Sequence, residues 1–208
     1  ALETWSATAP PLRFSRFMDS SVAAGHFARK QLLSPSRLIS WSHTRRFELG
    51  VKLAGKVDGQ RLLDFGCGDA TFLVMLLDSG ARPAKAVGAE IDPRVIDDNR
   101  TRLGNRPSLE FIHQSDLAGS AHTAAYDLVI CMEVCEHLYD QDTVLDTFVR
   151  VLRPGGRLLV SVPVETGPTL LVKQTARRIA GWRASPFPDR NCMQPAPIPN
   201  CETCHTTG

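Results

Sequence analysis

Three side chains that can move a proton or hold a cation crowd one short stretch: Glu133, Glu136 and His137. Their spacing of i, i+3 and i+4 puts all three on one face if the stretch is helical. Two carboxylates and an imidazole can bind a cation of intermediate hardness, which would polarise a hydroxyl for attack. Without a metal, His137 could itself take the hydroxyl proton, because an unperturbed imidazole titrates near ~6.5. A third reading gives the trio only capping and packing roles. Single acids stand further up the chain at Asp64, Glu90 and Asp116, each at the end of a strand-like run. Glu90 lies 22 residues past Gly68. An acid at that place can accept from the two hydroxyls of a ribose.

These residues need a scaffold, and the stretch from Arg61 to Phe72 supplies its centre. Leu62 and Leu63 begin an apolar run of the kind that forms a strand buried on both faces of a parallel sheet. Asp64 follows, and then Gly66-Cys67-Gly68, where glycine permits a tight turn and close ligand approach. From Ala70 onward, Phe72, Leu73, Met75, Leu76 and Leu77 read as a helix packing back on the sheet. Strand, turn and helix place backbone N–H groups at the carboxyl end of a strand, where open α/β sheets bind ligands. The turn is not a dinucleotide fingerprint, since Thr71 stands where a third glycine is required, and no Gly-Lys-Ser/Thr follows to make a P-loop.

The run Leu63-Asp-Phe-Gly-Cys-Gly-Asp-Ala-Thr71 resembles the first motif of the Rossmann-like S-adenosylmethionine-dependent methyltransferases. The stretch Phe148–Pro163, FVRVLRPGGRLLVSVP, is similar to the same family, and the resemblance covers roughly residues 45–163. It implies that Asp64, Gly66, Cys67 and Gly68 hold the methionine end of S-adenosyl-L-methionine. By the same resemblance Glu90 and Ile91 take the ribose, and Asp116 accepts from the adenine amino group while Leu117 adjoins the ring. Cys131 and Glu133 would line the methyl end, with Glu136 and His137 as the catalytic pair and His137 as base. The Glu-x-x-Glu-His arrangement resembles that of small-RNA 2'-O-methyltransferases, where it holds a divalent metal, and that of quinone-biosynthesis O-methyltransferases. The RNA enzymes carry a further histidine-rich motif downstream, whereas here His205 alone follows His137.

The rest of the chain fits an α/β fold. Helices are expected from Met18 to about Leu33 and, capped by Ser34-Pro35-Ser36, through Leu38 to about Leu53. Trp41, His43 and Arg46 on the second helix read either as a solvated basic face or as a lid over a substrate. Further strands are expected at Ala86–Asp92, Leu109–His113, Tyr126–Cys131 and, after an Arg153-Pro-Gly-Gly turn, Arg157–Val162. His113 reads as a strand residue. Helices are expected from Asp92-Pro93 onward, over Val144–Leu152, and over Leu170–Trp182 with Lys173, Arg177 and Arg178 on its polar side. The expected architecture is a Rossmann-like doubly wound sheet, mostly parallel, with N-terminal helices; the terminal antiparallel strands of the family are missing. The expected domain division is an arm with helices over 1–44, the cofactor-binding domain over 45–183, and a tail over 184–208.

Composition sets the outer limits. The 208 residues, 43% hydrophobic and 22% charged, are those of an ordinary globular chain with one domain. A net charge of +2 does not point to nucleic acid or an acidic membrane. No apolar run approaches the ~20 residues of a membrane span. No signal peptide is visible, and six cysteines in a chain of this size do not make a disulfide scaffold, so the expected location is the cytoplasm. Cys201-Glu-Thr-Cys204-His205 matches the haem-attachment pattern and, with Cys192, could make a zinc site; chance in an irregular tail is the third reading. The expected activity is methyl transfer to an oxygen or nitrogen of a small-molecule acceptor, with a divalent metal possible but not favoured. The alternatives are a non-catalytic member of the same fold, an RNA 2'-O-methyltransferase, or a haem protein.

Overall fold

The computed structural model describes residues 24–138 and 140–162. Five strands form one sheet in the order β3-β2-β1-β4-β5, with every neighbouring pair parallel. The strands are β1 (Arg61–Phe65), β2 (Lys85–Glu90), β3 (Leu109–His113), β4 (Tyr126–Met132) and β5 (Leu152–Ser161). Among the described residues four α-helices accompany them: α1 (Arg37–Ala54), α2 (Thr71–Asp78), α3 (Pro93–Leu103) and α4 (Gln141–Val151). The chain works outward from β1 to β3, then crosses back to place β4 on the other side of β1. The carboxyl ends of β1 and β4 therefore flank the topological switch point, where such sheets open a ligand crevice.

Alternation along β1 explains the layers. Leu62 faces a core shared with Val51 and Ala54 of α1, Phe72, Leu73 and Leu76 of α2, and Leu128 and Ile130 of β4. Its neighbour Leu63 faces the opposite core, with Phe65, Val129, Tyr126 and, from α4, Phe148 and Val151. A third cluster joins α2 to α3 through Val74, Ile96, Leu103 and Phe111, with Cys67 among them. Each buried leucine removes apolar surface worth roughly 1.5–3 kcal/mol, so the two faces of β1 hold both layers to the sheet.

Local signals place the helix starts. The Asp92 side chain accepts from the Arg94 amide at 2.9 Å, and Pro93 occupies the first helical position of α3. Asp140 caps α4 by accepting from the Thr143 amide at 3.0 Å. Helix α2 starts differently, from Ala70 at φ 60°.

One expected bound needs correction, and two others can be placed on the elements. The division drawn between residues 44 and 45 falls within α1, one continuous helix packed on the sheet. The strand expected at Arg157 begins earlier, at Leu152. It pairs Leu152 with Tyr126 and Arg157 with Leu128, and the Pro-Gly-Gly residues bulge out between them with Gly155 at φ 77°. The helix expected to end at Leu33 closes in a π-helical turn, Ala28–Leu32. The helix expected over Leu170–Trp182, the tail with its Cys-x-x-Cys-His pattern, and the absent terminal strands lie outside the described residues.

Candidate active site

The glycine turn after β1 is tied down from several sides. The Gly66 and Cys67 amides both donate to the Ala89 carbonyl, at 2.8 and 3.2 Å. Gly66 and Gly68 have φ of 71° and 52°, a region that glycine enters without strain. A Cβ on Gly66 would lie 2.5 Å from Val134 Cγ2, so the loop after β4 fills the space that glycine leaves. Asn99, fully buried on α3, donates to the Gly68 carbonyl at 2.7 Å. Arg102 adds a bond to the Asp69 carbonyl at 3.1 Å.

Two buried acids face this turn. Asp64 is 2% exposed at the carboxyl end of β1, and its carboxyl is pushed up to about 8, first by burial and then by the nearby charge of Glu90. Burial and Glu90 together thus favour the protonated form of Asp64. Glu90, 5% exposed, accepts from the Gly68 amide at 2.9 Å and from the Ile91 amide at 2.7 Å. It stitches the end of β2 to the glycine turn.

The neighbouring strand end is built around His113, which pairs in register with Glu90. Asp116 accepts from the His113 amide at 3.1 Å, and His113 Nδ1 accepts from the Ser115 amide at 3.2 Å. Leu117 is buried in the core below. Glu90, Ile91 and Asp116 are thereby brought to adjacent strand ends, beside Asp64 and Gly66–Gly68.

Past β4 the structure departs from the expected helix. Glu133 sits at φ 59°, in the left-handed region, and a short 3-10 turn follows at Cys135–His137. The single helical face of Glu133, Glu136 and His137 does not form, because the left-handed residue turns the chain before any helix starts. Glu133 points to α1 instead: its carboxylate accepts from Arg46 on one oxygen and from the Ser161 hydroxyl on the other. Glu136 and His137 are exposed, with His137 Nε2 3.9 Å from Glu136 Oε1. Among the described residues no group of three or more His, Cys, Asp or Glu is gathered closely enough to hold a metal ion.

The side chains of two cysteines named for the cofactor crevice pack in the core. Cys131 does not present its thiol to the crevice: strand alternation buries it completely in the core under α4, 3.5 Å from Cys135 Sγ. Burial first, then Cys135, holds that thiol well above its ordinary value. The Cys67 side chain likewise packs in the core against Phe111, so its backbone alone remains to meet a ligand.

The α1 side contributes more to the site than its sequence pattern announces. Along α1 from its carboxyl end, the Ala54 carbonyl accepts from Arg157 at 2.9 Å, Gly50 packs on Met132, and Arg46 reaches Glu133. These contacts climb from the middle of β5 to the end of β4. His43, one turn beyond Arg46, is held below the ordinary imidazole value by burial and by Arg46, with Glu133 opposing. Helical spacing from Gly50 was the available signal. Trp41, the other lid candidate, is 61% exposed.

Comparison with known proteins identifies the family. A family model described as a methyltransferase domain matches residues 38–196. The chain belongs to the class I S-adenosylmethionine-dependent methyltransferases. It is 31% identical over 112 residues to a Mycolicibacterium smegmatis protein named probable S-adenosylmethionine-dependent methyltransferase, covering 54% of this chain and 41% of that one. It is 29% identical over 119 residues to a ubiquinone biosynthesis O-methyltransferase of Sodalis glossinidius, covering 56% and 46%. The chain thus spans less than half the length of either relative. The fold is similar to that of a chain from the complex between the Haloferax volcanii Trm112 methyltransferase activator and a methyltransferase, at TM-score 0.53 and 19% identity, covering 70% of this chain and 61% of that one.

Proposed function

We propose that this chain is the cofactor-binding core of an enzyme that moves a methyl group from S-adenosylmethionine to an oxygen or nitrogen of a small-molecule acceptor. The observation that carries the proposal is the pair of buried acids, Asp64 and Glu90, set against the glycine turn at the topological switch point. A cofactor with a cationic end and a hydroxylated sugar accounts for both. The hydroxyl acceptor class is supported by the O-methyltransferase named among the relatives.

When bound, S-adenosylmethionine supplies a methyl group already activated on a sulfonium, so the protein's work is to position, exclude water and accept a proton. In this reading Asp64 gives up its proton to meet the cationic methionine end, helped by the backbone of Gly66, Cys67 and Gly68. Glu90 has about four acceptor sites. Two take the Gly68 and Ile91 amides, and two remain for the ribose hydroxyls. Asp116 takes the adenine amino group beside the Leu117 amide. Glu133 and the Cys131 backbone border the methyl end, and His137, with Glu136 beside it, receives the acceptor's proton. No step requires a metal or a nucleic acid. Among the described residues no helix is long and apolar enough to cross a membrane. The free thiols of Cys67, Cys131 and Cys135 fit a reducing, cytoplasmic compartment.

Calorimetric titration with S-adenosylmethionine and S-adenosylhomocysteine tests this. Wild type is expected to bind in the micromolar range, and Glu90→Ala to lose about tenfold, roughly 1.4 kcal/mol. A folded wild-type protein that gives no heat with either ligand would overturn the assignment.

A further inference from the structure

We propose that His113 is a positioning residue whose neutral, Nε2-protonated imidazole fixes the gap between the ribose and adenine subsites. The inference rests on the cofactor reading above and concerns the same crevice. Its basis is a pair of ring contacts that determine each other. The Ser115 amide can only donate, and it lies 3.2 Å from His113 Nδ1, so Nδ1 is an acceptor and carries no proton. The other nitrogen must then carry the proton. Nε2 lies 3.0 Å from the Ile91 carbonyl, which can only accept. The Ser115 hydroxyl, 2.8 Å from Nδ1, is free to rotate and does not disturb this assignment. One tautomer satisfies both backbone groups.

The two groups belong to different loops. Ile91 follows Glu90 at the end of β2, 22 residues away from His113, and its amide already holds the Glu90 carboxylate. Ser115 precedes Asp116 in the 3-10 turn after β3, and the Asp116 carboxylate in turn accepts from the His113 amide. The ring is thus a strut from the ribose acid's peptide to the turn that presents the adenine acid. Parallel pairing stops at Glu90 and His113, so no ladder bond holds these loops together beyond that point. An adenosine bridging Glu90 and Asp116 reads their separation directly.

Side-chain reach separates this role from simple capping. Asn at 113 reaches as far as Nδ1 and can still cap the Ser115 amide, as asparagine does at helix starts. Gln reaches as far as Nε2 and can still donate to the Ile91 carbonyl. Binding of S-adenosylhomocysteine and of 5'-methylthioadenosine, which lacks the amino-acid end, would be measured for wild type, His113→Asn and His113→Gln, with melting temperatures alongside. The expected result is a loss of about fivefold or more for both ligands in His113→Asn with its melting temperature kept, and recovery to within about twofold in His113→Gln. Wild-type affinity in His113→Asn, or an equal loss in His113→Gln, would overturn the strut. A folded wild type that binds neither ligand would instead bring down the cofactor reading and this inference together.

Discussion

The Asp69 carboxylate and the Ala28 amide, 41 residues apart in sequence, meet at 2.8 Å in the protein interior. The other carboxylate oxygen takes the Thr71 hydroxyl at 2.6 Å, so one buried acid ties the first described segment to the start of α2. Phe27 lies against Gly68 there, and a Cβ on Gly25 would stand 2.3 Å from Asp69 Oδ2. The segment before α1 is therefore a roof over the glycine turn.

Removing that tie should loosen the roof before it melts the sheet. Asp69→Ala strands the buried Ala28 amide, at a cost of about 1–3 kcal/mol. Hydrogen exchange should rise at residues 24–33 while β1 and β4 amides stay protected. Uniform loss of protection across the sheet would show that Asp69 serves the whole core instead.

Asp64 predicts a pH dependence of definite sign. Its carboxyl titrates at about 8 folded, against 3.8 for a free side chain. Its contribution to stability is therefore complete below about pH 4 and is lost as pH rises through about 8, because the unfolded chain releases the proton first. Asp64→Asn should flatten that part of the melting curve against pH. Binding of S-adenosylmethionine at pH 7 should expel a proton, seen as a heat that changes with the ionisation enthalpy of the buffer. No buffer dependence would mean that Asp64 stays protonated beneath the ligand.

The cluster on α1 makes a prediction about His43. Glu133 raises its affinity for protons and Arg46 lowers it, while burial is the largest influence and lowers it too. Glu133→Gln should push the His43 titration, followed by ring-proton NMR, further down. Arg46→Ala should move it up, both by removing a positive charge and by freeing the Glu133 carboxylate. Shifts of the same sign in both variants would contradict the arrangement.

Much of this was legible residue by residue. Leu109–His113 forms the expected strand, and the Asp92-Pro93 cap starts its helix, because both signals are local. Leu62 and Leu63 face opposite cores as a doubly wound sheet requires. The failures are non-local. Nothing in the residue type of Glu133 announces a left-handed backbone, and its carboxylate's partners, Arg46 and Ser161, lie on other elements. The double contact of the His113 ring depends on Ile91, 22 residues away in sequence. The roof over the glycine turn depends on a contact that spans 41 residues. Sequence periodicity records which face a residue shows, and not which distant group waits on that face.

The fit of Val134 into the space left by Gly66 reaches beyond stability. In the function proposed above, residues 133–138 border the acceptor's entrance and Gly66 belongs to the turn beneath the cofactor. A lineage that drifts toward a new acceptor by altering the loop after β4 must pass through Val134, and every change there is felt by the turn. Acceptor choice and cofactor grip would therefore evolve as linked traits, with a gain in one bought against drift in the other. Libraries that vary both segments together should reach new acceptors by shorter routes than libraries that vary the loop alone.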